Sequence, residues 1–294
     1  MQLTQTRRSS GARELLRRAR GKIGESDAEF LLGTLLERAR HELYASDVDV
    51  AEAVRTRYEE LVARAAQGVP VEYLLHRARF MDFSVEVDAR VLIPRSETEE
   101  LVSRALARFT SSARVQELKN PGAELSAATC LDLGTGSGVI ALAVARLLPR
   151  ARVVASDCSQ DALDVATRNV AALGLSERIE LVRSELFAGL CGRKFDLIVS
   201  NPPYVPTGRW ATLDRSVRDC EPRLALDAGE DGMSCLRVIL ADADAFLNAA
   251  GLLALEIDPA VFAEVRRVAP AAEIELDWQG RERYAFRRRR AGAE

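Results

Sequence analysis

Asn201-Pro202-Pro203-Tyr204 carries residue types that can act together on one small polar group. It follows Phe195-Asp196-Leu197-Ile198-Val199-Ser200. The apolar run Leu197 to Val199 reads as a buried parallel strand, which the two prolines end. Asn201 then stands at a strand's carboxyl end, where open α/β sheets bind their ligands. Proline has a fixed φ and no N–H, so the Pro202 carbonyl and the Asn201 amide can project together into a cleft. Two oxygens that accept both hydrogens of a conjugated NH2 group orient it and favour the positive charge that develops as it attacks. Tyr204 adds a flat face for such a planar group. A bland reading of the same residues is a strand followed by a proline-rich turn that Asn201 caps.

A second stretch, Gly134-Thr135-Gly136-Ser137-Gly138, sits between a strand, Cys130 to Leu133, and a helix, Val139 to Leu148. Strand, glycine-rich turn and helix suggest a nucleotide-like ligand at the helix N-terminus. A dinucleotide fingerprint starting at Gly134 would need its third glycine where Val139 stands. The tighter spacing brings the backbone close to a ligand without a long phosphate cradle. The next strand, Val153 to Ser156, ends in Asp157, the place of a carboxylate that grips ribose hydroxyls. Asp132, Asp157 and Glu185 fall at successive strand ends. That acidic rim disfavours a pyrophosphate and suits a cationic cofactor, and S-adenosylmethionine fits best. Alternatively each acid caps a helix or turn.

These stretches need a scaffold, and 294 residues suffice for one large α/β domain and a smaller one. Hydrophobic content of 48% with 29% charge is that of a globular protein with a sizeable core. A net charge of -3 gives no global basic field, so direct nucleic-acid binding is not required. Lys22, Lys119 and Lys194 are the only lysines, so arginine is a habit of this chain, and Arg287 to Arg290 reads as a solvated tail. Five cysteines form no C-x-x-C pair. With no signal peptide and no apolar run of membrane-spanning length, free thiols in a cytoplasmic protein are expected, away from membranes. Two histidines, His41 and His76, and scattered cysteines give no expected metal site.

In chain order, residues 1 to about 10 read as frayed, and Ala12 to about Ala66 is helical throughout. Leu15, Leu16 and Ala19 share a face, as do Val54, Tyr58, Leu61 and Val62. Ser26 and Asp27 are candidate caps, and a helix starts at Ala51 after a Ser46-Asp47 turn. Gly68 to Pro70 breaks this region. Phe80 to Leu92 reads as a hairpin turning at Asp88-Ala89. Ser96 or Thr98 is a candidate cap for the helix that follows. Residues 110 to 128 look like an exposed loop. Ser159 caps a helix from Asp161 to Leu173 that Gly174 ends, and Ile179 to Val182 is the next strand. Gly232 to Asn248 is predicted helical, Leu252 to Ile257 a buried strand, Phe262 to Val268 a helix, and Glu273 to Leu276 and Arg283 to Phe286 late strands. The alternation predicts a Rossmann-like, doubly wound, mostly parallel seven-stranded sheet. The domains expected are 1–72, small and all-α; 73–96, a β-hairpin linker; and 97–294.

With both stretches in hand, the chain resembles class I S-adenosylmethionine-dependent methyltransferases, and most closely the PrmC/HemK family of release factor glutamine N5-methyltransferases. Gly68-Val69-Pro70-Val71-Glu72-Tyr73, Ile93-Pro94-Arg95-Ser96-Glu97-Thr98-Glu99 and Val217-Arg218-Asp219-Cys220-Glu221-Pro222-Arg223 carry the resemblance further. It implies methylation of the glutamine side-chain amide in the Gly-Gly-Gln motif of class I peptide chain release factors, by a monomer. Asn201 and the Pro202 carbonyl would hold that amide, with Pro203, Tyr204, Arg95, Glu97 and Glu221 nearby. The cofactor would lie along Asp132, Gly134, Thr135, Gly136 and Gly138, with Asp157 on the ribose, Glu185 and Leu186 near adenine, and Asn201 bordering it. Family members usually have proline at Ser96, glycine at His76 and Asp258, aspartate at Glu185 and an aromatic at Cys220.

Rival functions use the same tetrapeptide. A nucleic-acid adenine or guanine N-methyltransferase would stack a flipped base on Tyr204, but expects a basic groove. A ribosomal-protein glutamine methyltransferase is the nearest sister reading. A catalytically silent binding protein is the third.

Overall fold

The computed structural model describes residues 11–45, 48–111 and 128–289. The start expected to fray, the turn expected at Ser46-Asp47, the interior of the loop expected over 110–128 and Arg290 lie outside them.

The helical region forms because apolar residues recur on one face of each segment. Helix α1 (Ala12–Ile23) buries Leu15, Leu16 and Ala19; α2 (Glu25–Leu35) buries Leu31 and Leu32; α4 (Glu52–Ala65) buries Tyr58, Leu61 and Val62. Short helices α3 (Glu42–Ala45) and α5 (Val71–Leu75) complete the set, and one apolar core unites it. Each fully buried leucine contributes about 1.5–3 kcal/mol. The capping expectation fails here. Gly24 precedes α2, so Ser26 and Asp27 lie inside its first turn. Helix α5 was also unforeseen, being too short to show a period.

The first hairpin is tighter than its apolar pattern predicts. Strands β1 (Ala78–Phe80) and β2 (Phe83–Val85) turn at Met81-Asp82, not at Asp88-Ala89. Val87 and Val91 are buried beyond it. Glu99 accepts from the Met81 N–H, and Asn169 Oδ1 from the Glu86 N–H, both at 2.6 Å.

Helix α6 (Ser96–Thr110) leads into the α/β fold, with Arg95 and no side-chain cap at its start. Ser96 and Thr98 are in its first turn, so neither is the cap. The chain then alternates: β3 (Thr129–Leu133), α7 (Val139–Leu147), β4 (Arg152–Asp157), α8 (Gln160–Ala172), β5 (Ile179–Arg183) and β6 (Phe195–Ser200). Ser159 caps α8 as predicted, accepting from the Ala162 N–H at 3.2 Å. Next come α9 (Arg215–Cys220), α10 (Ser234–Phe246), β7 (Leu247–Glu256), α11 (Phe262–Val268), β8 (Glu273–Leu276) and β9 (Glu282–Arg288). Strand β7 begins where the sequence predicts the end of a helix.

The seven strands run in the order β5-β4-β3-β6-β7-β9-β8, all parallel from β5 to β7, with β9 antiparallel to both neighbours. This is the predicted mostly parallel sheet. The winding reverses between β3 and β6, so the ligand crevice is expected beyond their carboxyl ends.

Two compact units result. One takes the residues up to Arg77 together with Arg215–Cys220; the other takes Ala78–Asp214 and Glu221 onward, including the hairpin expected as a linker. The arginine cluster is not a solvated tail over its described part. Arg287 donates to the Leu240 carbonyl, Arg289 to that of Leu247 and Arg288 to that of Arg108.

Candidate active site

Strands β3 and β6 are adjacent, with Asp132 opposite Val199. The Ser200 hydroxyl donates to the Leu133 carbonyl at 2.6 Å, tying the two strand ends together. The next residues are Gly134 and Asn201, so both predicted stretches emerge side by side.

The glycine turn is held from beneath. The Gly134 and Thr135 N–H groups both donate to the Ser156 carbonyl at 2.8 Å. Asp132 Oδ2 accepts from the Thr135 hydroxyl at 2.6 Å and the Ala141 N–H at 3.0 Å. Gly134 (φ 78°) and Gly136 (φ 54°) are left-handed, and a Cβ at either would meet no atom within 4 Å. Both line one cleft, so a ligand can approach their backbone as closely as the turn allows. Gly138 does something else. Its Cβ would lie 3.4 Å from that of Ala166, so it permits close packing against α8 and does not line the cleft.

The cleft runs from this turn past Asp157, Glu185 and Leu186 on one side and Arg95, Asn201 and Pro203 on the other. Val91 and Leu92 give it an apolar wall. Asp157 accepts from the Gly136 N–H through Oδ2 and the Ser159 N–H through Oδ1, each at 2.9 Å. Each oxygen keeps a lone pair for a ribose hydroxyl. Asp157 therefore braces the turn and borders the ligand space. Asp157→Ala is expected to weaken S-adenosylmethionine binding by roughly 1.5–3 kcal/mol per lost charged bond, measured by calorimetry. Unchanged affinity would leave Asp157 with the turn alone.

Asp132 is fully buried, and Oδ1 has no partner. Burial pushes its carboxyl up to about 7, against the Thr135 and Ala141 hydrogen bonds, with Asp157 adding to the rise. The folded form thus keeps a proton up to about pH 7 that the unfolded chain releases near its ordinary value of 3.8. Stability from this group is full below the unfolded value and falls as pH rises towards 7. Carboxylates held low by arginine partners, such as Glu180 beside Arg193, lose their contribution only as pH falls below their ordinary 4.5. The melting temperature is expected to fall between pH 5 and 7.5, and Asp132→Asn to flatten that slope. A slope unchanged in the variant would assign it to other groups.

At Asn201 the side chain is fixed by a relay. Its Nδ2 donates to Thr98 Oγ1 at 2.9 Å, which donates to Glu256 Oε2 at 2.8 Å. Tyr204 donates to Glu256 Oε1 at 3.1 Å. With Nδ2 anchored, Oδ1 remains as an acceptor. Tyr204 turns its hydroxyl away to Glu256 and packs on the central core, outside the cleft lining, where the sequence suggested a stacking face. Pro202 is buried and also outside the lining. Glu221 is buried beneath, ion-paired with Arg95, and Glu97 faces Arg281 at 3.5 Å. Neither acid lines the cleft; Glu221 positions Arg95, which does.

Thr98 and Glu256 were not among the predicted site residues. Thr98 reads as a cap from its local context. Glu256 gave a usable signal, a carboxylate inside the apolar run Leu252 to Ile257 that needs a buried partner. Asn169, also unforeseen, bridges the Glu86 and Ser137 carbonyls at 2.9 Å and so braces the glycine turn.

A PrmC N-terminal domain family model matches residues 10–75, and a methyltransferase small domain model matches residues 108–224. The release factor glutamine methyltransferase of Moorella thermoacetica is 39% identical over 271 residues, 89% of this chain and 91% of that one. The chain belongs to the release factor glutamine methyltransferase family. The Deinococcus radiodurans member is 39% identical over 91% of this chain and 92% of its own. A crystal structure of the hMettl16 catalytic domain with a MAT2A 3′UTR hairpin shares the fold, with a TM-score of 0.54 at 12% identity over 83% of this chain and 84% of that one.

Family membership gives physical content to two departures noted in the sequence. His76, where members usually have glycine, is left-handed (φ 50°) at the end of α5. Ser96, where proline is usual, is the first residue of α6, a position that suits proline's fixed φ and missing N–H. No helix among the described residues is long and apolar enough to cross a membrane.

Proposed function

We propose that this chain methylates the side-chain amide nitrogen (N5) of the glutamine in the Gly-Gly-Gln motif of class I peptide chain release factors, with S-adenosylmethionine as donor. The observation that carries this reading is the anchored Asn201 amide, its oxygen left for an N–H donor beside an open glycine cradle. The near-full-length relatives that bear the name of this activity support it.

The residues fit the cofactor. Gly134 and Gly136 leave room for it, Asp157 suits ribose hydroxyls, and Leu186 offers an apolar contact for adenine beside Glu185. Bound there, S-adenosylmethionine supplies a methyl group already activated by its sulfonium. The protein's task is then to hold and orient the acceptor. Asn201 Oδ1 accepts one N–H of the glutamine amide; the Pro202 carbonyl, which the resemblance implies for the other, belongs to a buried residue outside the cleft lining. This keeps the nitrogen lone pair in line and stabilises the charge it gains. No strong base is needed. Asp132 lies beneath the turn, fully buried, and does not line the cleft. Arg95, Pro222 and Leu224 border the entrance and suit a peptide loop. The protein is read as a monomer acting in the cytoplasm, where translation ends.

The test is mass spectrometry of a Gly-Gly-Gln-bearing release factor incubated with this protein and labelled S-adenosylmethionine. One added methyl on that glutamine is expected. Label appearing instead on a ribosomal protein or a nucleic-acid amino group would replace the release factor as substrate.

A further inference from the structure

Asn201 can show its oxygen to the acceptor only if its own NH2 has a partner that accepts. Thr98 is that partner, yet a threonine hydroxyl can equally donate. What settles its polarity lies one step further in. Thr98 Oγ1 is 2.8 Å from Glu256 Oε2, and the Tyr204 hydroxyl is 3.1 Å from Oε1. An ionised carboxylate only accepts. Both hydroxyl protons are then committed to Glu256, and Thr98 is left to accept from Asn201 Nδ2. Every donor in the relay finds an acceptor, and the group left over is Asn201 Oδ1.

A protonated Glu256 reverses this. Its O–H donates to Thr98, the released Thr98 proton turns to Asn201, and the amide rotates so that Oδ1 accepts from Thr98. The NH2 then faces the cleft, opposite the NH2 of the glutamine acceptor. Two donors cannot bond each other, so the acceptor loses its orienting contact.

We propose that Thr98 and Glu256 are positioning residues that set which end of the Asn201 amide meets the acceptor, the oxygen when Glu256 is ionised and the NH2 when it is protonated. This rests on the methyl-transfer reading above. Neither residue needs to touch the acceptor nitrogen; both act through Asn201.

The surroundings of Glu256 put its titration where it matters. It is 1% exposed. The charged and titratable groups around it are Glu97 on α6, Arg283 and Tyr284 on β9, Tyr204 after β6 and Asp258 after β7. Burial and the Glu97 charge push its carboxyl up, while Thr98, Arg283 and Tyr204 pull it down, leaving it at about 7. The buried Tyr204 hydroxyl is held well above its ordinary range, so it remains a donor throughout.

The experiment uses the full chain, a Gly-Gly-Gln-bearing release factor and three near-isosteric variants, Thr98→Ser, Thr98→Val and Glu256→Gln. Turnover is followed from pH 5.5 to 9, and S-adenosylmethionine affinity by calorimetry. Thr98→Ser should keep kcat within about threefold. Thr98→Val should lower it on the order of 10- to 100-fold, less than the loss of the preorganised group itself because Asn201 remains, with cofactor affinity unchanged. The wild type should lose kcat as pH falls through about 7, the value to which Glu256 is pushed. Glu256→Gln should be slower and lack that limb. The 15N and 1H shifts of the Asn201 side-chain amide, assigned by their loss in Asn201→Ala, should titrate near the same pH in the wild type and not in Glu256→Gln. The proposal is overturned if Thr98→Val turns over like the wild type, if Glu256→Gln keeps the acid limb, or if the Asn201 amide does not titrate. The last measurement needs no substrate, so it judges the relay even where the release factor remains unmethylated and the methyl-transfer reading itself fails.

Discussion

Asn201→Ala is expected to abolish methyl transfer to the Gly-Gly-Gln glutamine while leaving S-adenosylmethionine affinity nearly intact. Asn201 directly follows β6, whereas the glycine cradle follows β3 and Asp157 ends β4. The variant thus removes an acceptor contact and leaves the cofactor side standing. An amide nitrogen is a poor nucleophile, and the oxygens that hold it are aimed at charge present only in the transition state. Loss of one such preorganised group costs about 10²–10³ in kcat. Here the same amide also fixes the acceptor in line with the methyl group, which adds to the loss. Single-turnover kinetics with labelled cofactor measures the chemical step, and calorimetry the affinity. Normal turnover in this variant would remove the central claim of the proposed function.

The parts of this fold that were legible in the sequence are those in which local pattern and burial agree. Strand β6 centres on the apolar run Leu197 to Val199 and is closed by two prolines, and β3 runs into a glycine turn, so chemistry and sheet could be placed together. Helix α8 announced both ends, with Ser159 as its cap and Gly174 beyond it. The first hairpin differs from its expected position because Phe83, Val85 and Val87 keep their alternation of buried positions past the last paired residue, Val85. Its true turn uses Met81 at φ 49°, with no glycine or asparagine to mark it. Cap assignments at Ser26, Asp27, Ser96 and Thr98 failed because tertiary packing, not the local hydroxyl or carboxylate, sets where those helices begin.

The relay behind Asn201 was illegible for a different reason. Thr98 and Glu256 are 158 residues apart, and Thr98 and Asn201 are 103 apart. No single-sequence pattern pairs groups at that separation. The arginine cluster misled in the opposite direction, since a run of like charges reads as solvated. The end of the antiparallel strand β9 instead lays Arg287 against the Leu240 carbonyl and Asp244 of α10, and Arg289, just past the strand, against the Leu247 carbonyl at that helix's C-terminal end, where cations are favoured.

Removing residues 1–77 is expected to raise the Michaelis constant for intact release factor by about tenfold or more, a loss of ~1.4 kcal/mol or greater, with cofactor affinity unchanged. The cleft is lined entirely by residues of the larger unit. The helical unit has a separate apolar core, so its loss leaves the sheet's core whole. The cut belongs after Arg77 and not after residue 96, because β1 and β2 are tied to α6, α7 and α8 through Glu99, Arg146 and Asn169. Helix α9, grouped with the helical unit, buries no residue, so it exposes no core side chain when left behind. A glutamine loop alone offers little surface, whereas a folded partner can bury about 1,600 Å² in a standard interface. On the proposed reading the helical unit supplies that second contact. Turnover of a short Gly-Gly-Gln peptide should then be the same with and without residues 1–77, once circular dichroism has shown that the shorter chain is folded. If the folded truncation methylates intact release factor as well as the full chain does, the helical unit is not a docking module and the cleft alone recognises the substrate.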